Sequence, residues 1–275
     1  MITNGMFGDR HGRLGNQIFQ LAVLHAIRAR RGHEYWVTRE GASIWQTFDL
    51  DVASAGPACE HRHHELEWAS IVYDPQVFEQ PDGTEFHGYF QSWRYLDDVR
   101  GELPGLFRFR NEHRARAEAL LFAHRRRYRR PLVSLHVRRG DYVDPDLVGR
   151  WGDLVAGGYH RRAIEAIGPD PLYLVFSDDI EWCRQTFELE CAEFVDEDAS
   201  VSLCMMTECD VKVIANSSFS WWGAYLDPQA EVYAPARWFG PDMRPPNDRS
   251  DDIVHPSWRT LPVDWPPTRA VQPNG

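Results

Sequence analysis

The sequence predicts an α/β protein whose C-terminal half is built on a parallel sheet. Three observations carry this expectation. From residue 131 onward, apolar runs at 132–137, 172–176, 193–195, 211–215 and 231–234 alternate with helix-length segments, the rhythm of strand, crossover helix and strand. Polar and charged residues crowd the carboxyl ends of three of those runs, which is where open α/β sheets bind ligands. The chain of 275 residues, 43% apolar and 13% aromatic, is long enough for one large α/β domain or two ordinary ones, each with a full core.

Taken in order, a short start at 1–7 leads through Gly12-Arg13-Leu14-Gly15-Asn16-Gln17 into an amphipathic helix over 14–29, with Leu14, Ile18, Leu21, Ala22, Leu24 and Ala26 on its buried side. The first N–H groups of that helix and its positive dipole end can serve an anion, although a glycine-bounded helix start is also an ordinary turn and cap. Tyr35-Trp36-Val37 predicts a strand, and the polar, His-rich stretch 40–70 predicts no regular element. Within it, Cys59-Glu60-His61-Arg62-His63-His64 lacks the spaced second ligand pair of a zinc site and reads as a solvated loop. A helix over 112–128 runs into Arg125-Arg126-Arg127-Tyr128-Arg129-Arg130 and then Pro131, a junction that divides the chain into domains 1–128 and 129–275. The arginine cluster fits a solvated helix end whose cations complement the dipole. A second reading is peripheral contact of residues 125–130 with an anionic membrane face. Crossover helices follow at 159–167, 180–187, 201–208 and 219–226, and a Pro- and Trp-rich tail from Pro256 packs irregularly.

Net charge narrows the partners. Thirty basic against 41 acidic residues leave −11, which disfavours nucleic acid, so an anionic ligand needs local arginines. Five cysteines without a C-x-x-C pair suggest reduced thiols, and the chain shows neither a signal peptide nor an apolar run of the ~20 residues that span a bilayer, so a cytoplasmic setting is expected.

The chemistry concentrates at three strand ends. His136-Val137-Arg138-Arg139-Gly140-Asp141-Tyr142-Val143 delivers two guanidiniums, which grip phosphate through paired hydrogen bonds; the same residues also make an ion-paired turn with Asp141. Phe176-Ser177-Asp178-Asp179 offers carboxylates for a base or sugar hydroxyl, or a cap for the next helix. Asn216-Ser217-Ser218-Phe219-Ser220-Trp221-Trp222-Gly223-Ala224 opens a helix whose amides and hydroxyls form a phosphate cradle, with the tryptophans as core or as a water shield. Together these describe a nucleoside diphosphate site without a Walker lysine or a G-x-G-x-x-G loop.

With Gly88-Tyr89-Phe90-Gln91-Ser92 and Val232-Tyr233-Ala234-Pro235-Ala236-Arg237-Trp238-Phe239, the ordered motifs resemble glycosyltransferase family 11, the α1,2-fucosyltransferases, over nearly the whole chain. The resemblance implies a GT-B-like fold of two facing Rossmann-like domains, the C-terminal one binding GDP-fucose. It implies catalytic roles for Arg138, at the β-phosphate, and Asn16. It implies donor contacts from Gly15, Asn16, His136, Arg138, Arg139, Asp178, Asp179, Asn216, Ser217, Ser218 and Phe219. Gln91, Ser92, Trp93, Asp141 and Tyr142 fall on the acceptor side, toward a β-galactoside in an oligosaccharide or lipid-linked glycan. No cofactor and no metal are expected. The chain departs from the family where Gly8-Asp9-Arg10-His11 precedes the Gly-Asn-Gln loop and where Trp93-Arg94 replaces an acidic and basic pair. The rivals are a manganese-dependent transferase using Asp49-Leu50-Asp51, Asp144-Pro145-Asp146 or Asp196-Glu197-Asp198, and a non-catalytic glycan binder stacking sugars on exposed Trp93, Trp151 and Trp258.

Overall fold

The computed structural model describes residues 1–65, 71–243 and 249–265. The chain forms two parallel sheets that face one another across a cleft, the GT-B-like arrangement expected. The first has three short strands in the order β1 (Thr3–Asn4), β3 (Thr84–His87), β2 (His61–His64). The second has six, in the order β6 (Ala192–Phe194), β5 (Leu172–Ser177), β4 (Leu132–Val137), β7 (Val211–Val213), β8 (Glu231–Pro235), β9 (Arg259–Leu261). Every strand pairing in the two sheets is parallel among the described residues.

Numbered from its own first strand, the larger sheet has the order 3-2-1-4-5-6 of a doubly wound nucleotide-binding fold. The chain leaves β4 to one side for β5 and β6, then returns to its other side for β7. The loops after β4 and β7 therefore part and leave a crevice, which is the switch point where such sheets take ligands. Alternation in β4 explains its two-sided burial. Val133, Leu135 and Val137 join a core that includes Tyr159 and Ala163, whereas Leu132 joins a core with Ala117, Leu121 and Val201 on the other side.

Nine α-helical elements fill the layers: α1 (Leu14–Arg31), α2 (Ile44–Thr47), α3 (Leu103–Leu106), α4 (Asn111–Tyr128), α5 (Val148–Trp151), α6 (Tyr159–Ile167), α7 (Ile180–Thr186), α8 (Ala199–Thr207) and α9 (Ser218–Tyr225), counted among the described residues. Helix α1 closes at Gly32, whose N–H donates to the Arg28 carbonyl, with Arg28, Arg30 and Arg31 in the last turn complementing the dipole. Helix α8 is capped by Asp198, which accepts from the Ser200 and Val201 amides. The helix that ends the first half by sequence, α4, packs on α8 of the second sheet, α8 on α9, and α9 on α1.

That chain of contacts makes one core cross the two halves. Phe19 of α1 lies 4.4 Å from Trp221 and 4.9 Å from Trp222 between ring centroids, and Phe107 lies 5.6 Å from Trp222. Both tryptophans are fully buried, and the Trp221 Nε1–H donates to the Ile253 carbonyl at 2.6 Å. They are core residues, not a cover for the cleft.

Two local expectations are corrected. Tyr35 and Trp36 form only isolated bridges, to Ile2 and Ala53, because their neighbours leave the ladder after one residue. The segment 61–64, expected as loop, is β2, paired along its length with β3. An edge strand mostly exposed to solvent needs no apolar residues, so His61-Arg62-His63-His64 carries no periodic signal.

Candidate active site

A cleft of about 1390 Å³ lies between the sheets, large enough for a sugar nucleotide and part of an acceptor. Its floor is the meeting of two helix N-termini. A Cβ on Gly15, in the first turn of α1, would fall 2.6 Å from the Ser218 carbonyl carbon and the Phe219 nitrogen, so only glycine lets α1 approach α9 this closely. The amides and positive dipole ends of two helices thus converge on one point of an acidic protein.

Asn16 ties the halves together there. Its Oδ1 accepts from Gln91 Nε2 at 2.8 Å and from Ser218 Oγ at 2.8 Å. Ser217 caps α9 by accepting from the Phe219 N–H. Asn216 lines the cleft and donates from Nδ2 to the carbonyls of Trp151 at 2.7 Å and Trp238 at 3.0 Å, which fixes the loop entering α9.

Arg138 projects from the end of β4 and is 13% exposed, between Asp178 at 2.6 Å and Asp141. Both readings of the arginine turn therefore hold in part, since the guanidinium lines the cleft and is ion-paired. Arg139 points the other way, as alternation past a strand end requires. Its guanidinium lies 3.4 Å over the Trp182 ring and 3.4 Å from Asp153, while its backbone N–H donates to Asp178 at 2.8 Å. Asp179 faces away from the cleft and caps α7. Tyr142 lines the cleft, stacked on Trp151 at 5.5 Å.

His136 is buried on the inner face of β4, with Nδ1 2.9 Å from Ser220 Oγ. Burial first, then the positive charge of Arg138 and the neighbouring His160, push its pKa down to about 3, so the imidazole is neutral at physiological pH. Phe219 sits beside it at 5.7 Å between ring centroids. This is an apolar, uncharged wall suited to a base or sugar face.

On the opposite wall, Gln91 and Tyr89 line the cleft. Ser92 does not; it is buried and caps the turn Trp93–Tyr95. Trp93 packs edge-on to His255 at 5.2 Å, outside the lining. Trp258, expected at the surface, is 7% exposed and packs 5.6 Å from Trp221, which removes it from any stacking role.

Sequence reasoning missed Glu65, which follows β2 and lines the cleft. Its Oε2 accepts from the Tyr89 N–H at 2.8 Å and its Oε1 from the Phe90 N–H at 3.0 Å. Burial pushes its pKa up to about 7. One glutamate in an unassigned polar stretch gives no signal of its own. Among the described residues, no three His, Cys, Asp or Glu side chains converge as a metal site. Of the three Asp-x-Asp triplets, only Asp196-Glu197-Asp198 reaches the cleft, where Glu197 pairs with Arg116 at 2.6 Å and Asp198 caps α8.

The family profile described as Glycosyl transferase family 11 matches residues 8–261. The O-antigen biosynthesis glycosyltransferase WbnK of Escherichia coli is 33% identical over 117 residues, 39% of each chain. The galactoside 2-alpha-L-fucosyltransferase SEC1 of Bos taurus is 27% identical over 239 residues, 81% of this chain and 64% of that one. The matches therefore span less than two thirds of either relative's length. Among solved structures, the fucosyltransferase NodZ from Bradyrhizobium shares the fold, with a TM-score of 0.57 at 14% identity over 84% of this chain and 92% of that one.

Proposed function

The chain belongs to glycosyl transferase family 11, and on that premise we propose that it transfers L-fucose from GDP-fucose to the 2-hydroxyl of a terminal β-galactoside, with inversion and without a metal. The acceptor is an oligosaccharide or a lipid-linked glycan. The observation that carries the reading is Arg138 at the switch point of the larger sheet, beside the converging N-termini of α1 and α9. As the bond to GDP breaks, negative charge gathers on the β-phosphate, and a fixed guanidinium with nearby amides stabilises that charge most in the transition state.

The donor lies with its diphosphate near Arg138, Ser217 and Ser218, its base toward His136 and Phe219, and its fucose toward Gly15 and Asn16. Asp178 orients Arg138, and Arg139 holds the loop through Trp182 and Asp153. Asp179 acts through α7 instead of by contact, and Asn216, on the cleft lining, holds the loop entering α9. Gln91, Asp141 and Tyr142 face the acceptor, with Ser92 and Trp93 shaping the turn behind them. A membrane role for residues 125–130 rests on fewer cations than composition suggests. Arg125 pairs with Asp210, Arg127 with Glu193, and Arg130 donates to the carbonyls of Pro169 and Asp170. Among the described residues no helix is long and apolar enough to cross a membrane.

The test is release of GDP from GDP-fucose by purified protein in EDTA, with and without lactose, followed by linkage analysis. Lactose-dependent release and a 2-linked α-fucosyl product support the reading in full. Release that needs manganese favours the Asp-x-Asp rival. GDP binding without transfer to any galactoside favours a glycan-binding role on the same fold.

A further inference from the structure

We propose that Glu65 is the general base that takes the proton of the attacking acceptor hydroxyl. The proposal rests on the fucosyl-transfer reading above and names a group which that reading leaves unassigned.

The other carboxylates on the cleft are each engaged elsewhere. Asp141 and Asp178 pair with Arg138. Glu112 pairs with Arg110 at 2.9 Å and Glu197 with Arg116 at 2.6 Å. Asp198 caps α8, and Asp9 accepts from Gln17 Nε2 at 2.6 Å and from the Ser43 N–H at 3.3 Å. Glu65 and Asp198 alone of this set have neither a cationic partner nor a side-chain donor among the described residues, and Asp198 Oδ1 is committed to two amides of the α8 N-terminus. Each of the Glu65 oxygens accepts one backbone N–H, which fixes the carboxylate plane and leaves a further lone pair on each oxygen.

The backbone around it is shaped to hold that placement. A Cβ on Gly88 would fall 2.5 Å from the Glu65 Cβ, so glycine is required for the turn to close over the carboxylate. Phe90 sits at φ 54, a left-handed conformation costly for an aromatic residue, with its N–H aimed at Glu65 Oε1. The next residue, Gln91, donates to Asn16, so the turn that grips Glu65 runs directly into the point where the two halves meet.

Inverting displacement needs the attacking oxygen opposite the leaving phosphate. Arg138 lies at the end of β4 in the C-terminal sheet, and Glu65 at the end of β2 in the N-terminal one, with the cleft between. In the step, the acceptor oxygen forms its bond to the fucosyl anomeric carbon and its proton passes to Glu65. The electron pair of the broken carbon–oxygen bond leaves on the β-phosphate of GDP, beside Arg138. The pKa of about 7 suits a base at physiological pH. No charged side chain contributes to that value, and the neighbouring Tyr89 and Tyr95 are neutral, both held above the ordinary tyrosine pKa mainly by burial.

The experiment compares wild type, Glu65→Gln and Glu65→Asp for GDP affinity, kcat and KM for lactose, the pH profile of kcat/KM, and Tm. Wild type should show activity rising with pH through an inflection near 7. Glu65→Gln should lose on the order of 100- to 10,000-fold in kcat and lose the inflection, with GDP affinity unchanged. Glu65→Asp should keep the inflection at reduced kcat. If wild type transfers fucose and Glu65→Gln keeps its kcat and pH profile, or loses activity only through a raised KM and weaker GDP binding, Glu65 merely supports the turn and the base assignment is overturned. If wild type binds no GDP-fucose and transfers nothing, the donor reading falls and takes the base with it.

Discussion

At the residue scale, the site is a small number of charges whose neighbours decide what they can do. Arg138 is largely buried and held from two sides, so in the proposed reaction its guanidinium is already aimed before charge develops on the leaving phosphate. Arg138→Ala should retain the far-UV circular dichroism of wild type and lose about 3 kcal/mol of transition-state stabilisation, two to three decades in kcat. Protonation gives a second prediction. His136 and His160 have pKa values pushed down to about 3 and 4 from 6.5, chiefly by burial, so the unfolded chain takes up protons that the folded chain refuses as pH drops below 6.5. Their contribution to stability is complete above 6.5 and is lost on acidification. Glu65 acts in the opposite sense: its carboxyl keeps a proton up to about 7 where an ordinary glutamate releases it near 4.5, so its contribution is complete below 4.5 and is lost as pH rises through 7. Tm measured from pH 4.5 to 8 should fall at the acid end. Between pH 5 and 8 the difference between Glu65→Gln and wild type should shift in the variant's favour. Arg138 was legible in the sequence because a charged pair after an apolar run is a local signal. Glu65 was not, because its burial and the Tyr89 and Phe90 amides that hold it depend on a different segment.

At the scale of elements, the strands of the larger sheet were legible because strands buried on both faces are continuous apolar runs, and their ends were marked by the polar residues that follow. Strand β2 was hidden by its solvent-facing edge position, and Tyr35-Trp36-Val37 carried a strand signal without neighbours to pair along its length. The junction of α1 with α9 is where an element-level change should be most revealing. Gly15→Ala places a methyl group 2.6 Å from backbone atoms of Ser218 and Phe219, which cannot rotate aside. Overpacking of this kind costs about 1–3 kcal/mol, and it parts two helix ends that converge on the proposed diphosphate position. We expect Tm to fall by several degrees and GDP affinity, measured by calorimetry, to weaken by at least about tenfold. Unchanged GDP affinity would mean that the two helix ends do not act together.

At the scale of the molecule, alternation of strands and helices made the doubly wound half legible, but nothing in the sequence showed that α1 would rest on α9 or that Phe19 would pack against both Trp221 and Trp222. Such contacts join residues some two hundred positions apart, beyond the reach of any local pattern. Because a single apolar cluster takes in Ile2, Phe19, Phe107, Trp222 and Trp238, the halves should unfold together. Scanning calorimetry should give one transition whose calorimetric and van't Hoff enthalpies agree, and two resolved transitions would contradict the shared core. The same packed phenylalanine has a consequence for access to the cleft. A protein whose two lobes were joined only by linkers could admit its substrates by swinging open like a bivalve, but here that motion would expose Phe19 and both tryptophans to water. Entry and exit must therefore run through the open flanks of the cleft. In the proposed reaction, spent nucleotide would leave past the surface loops while the lobes stay clasped.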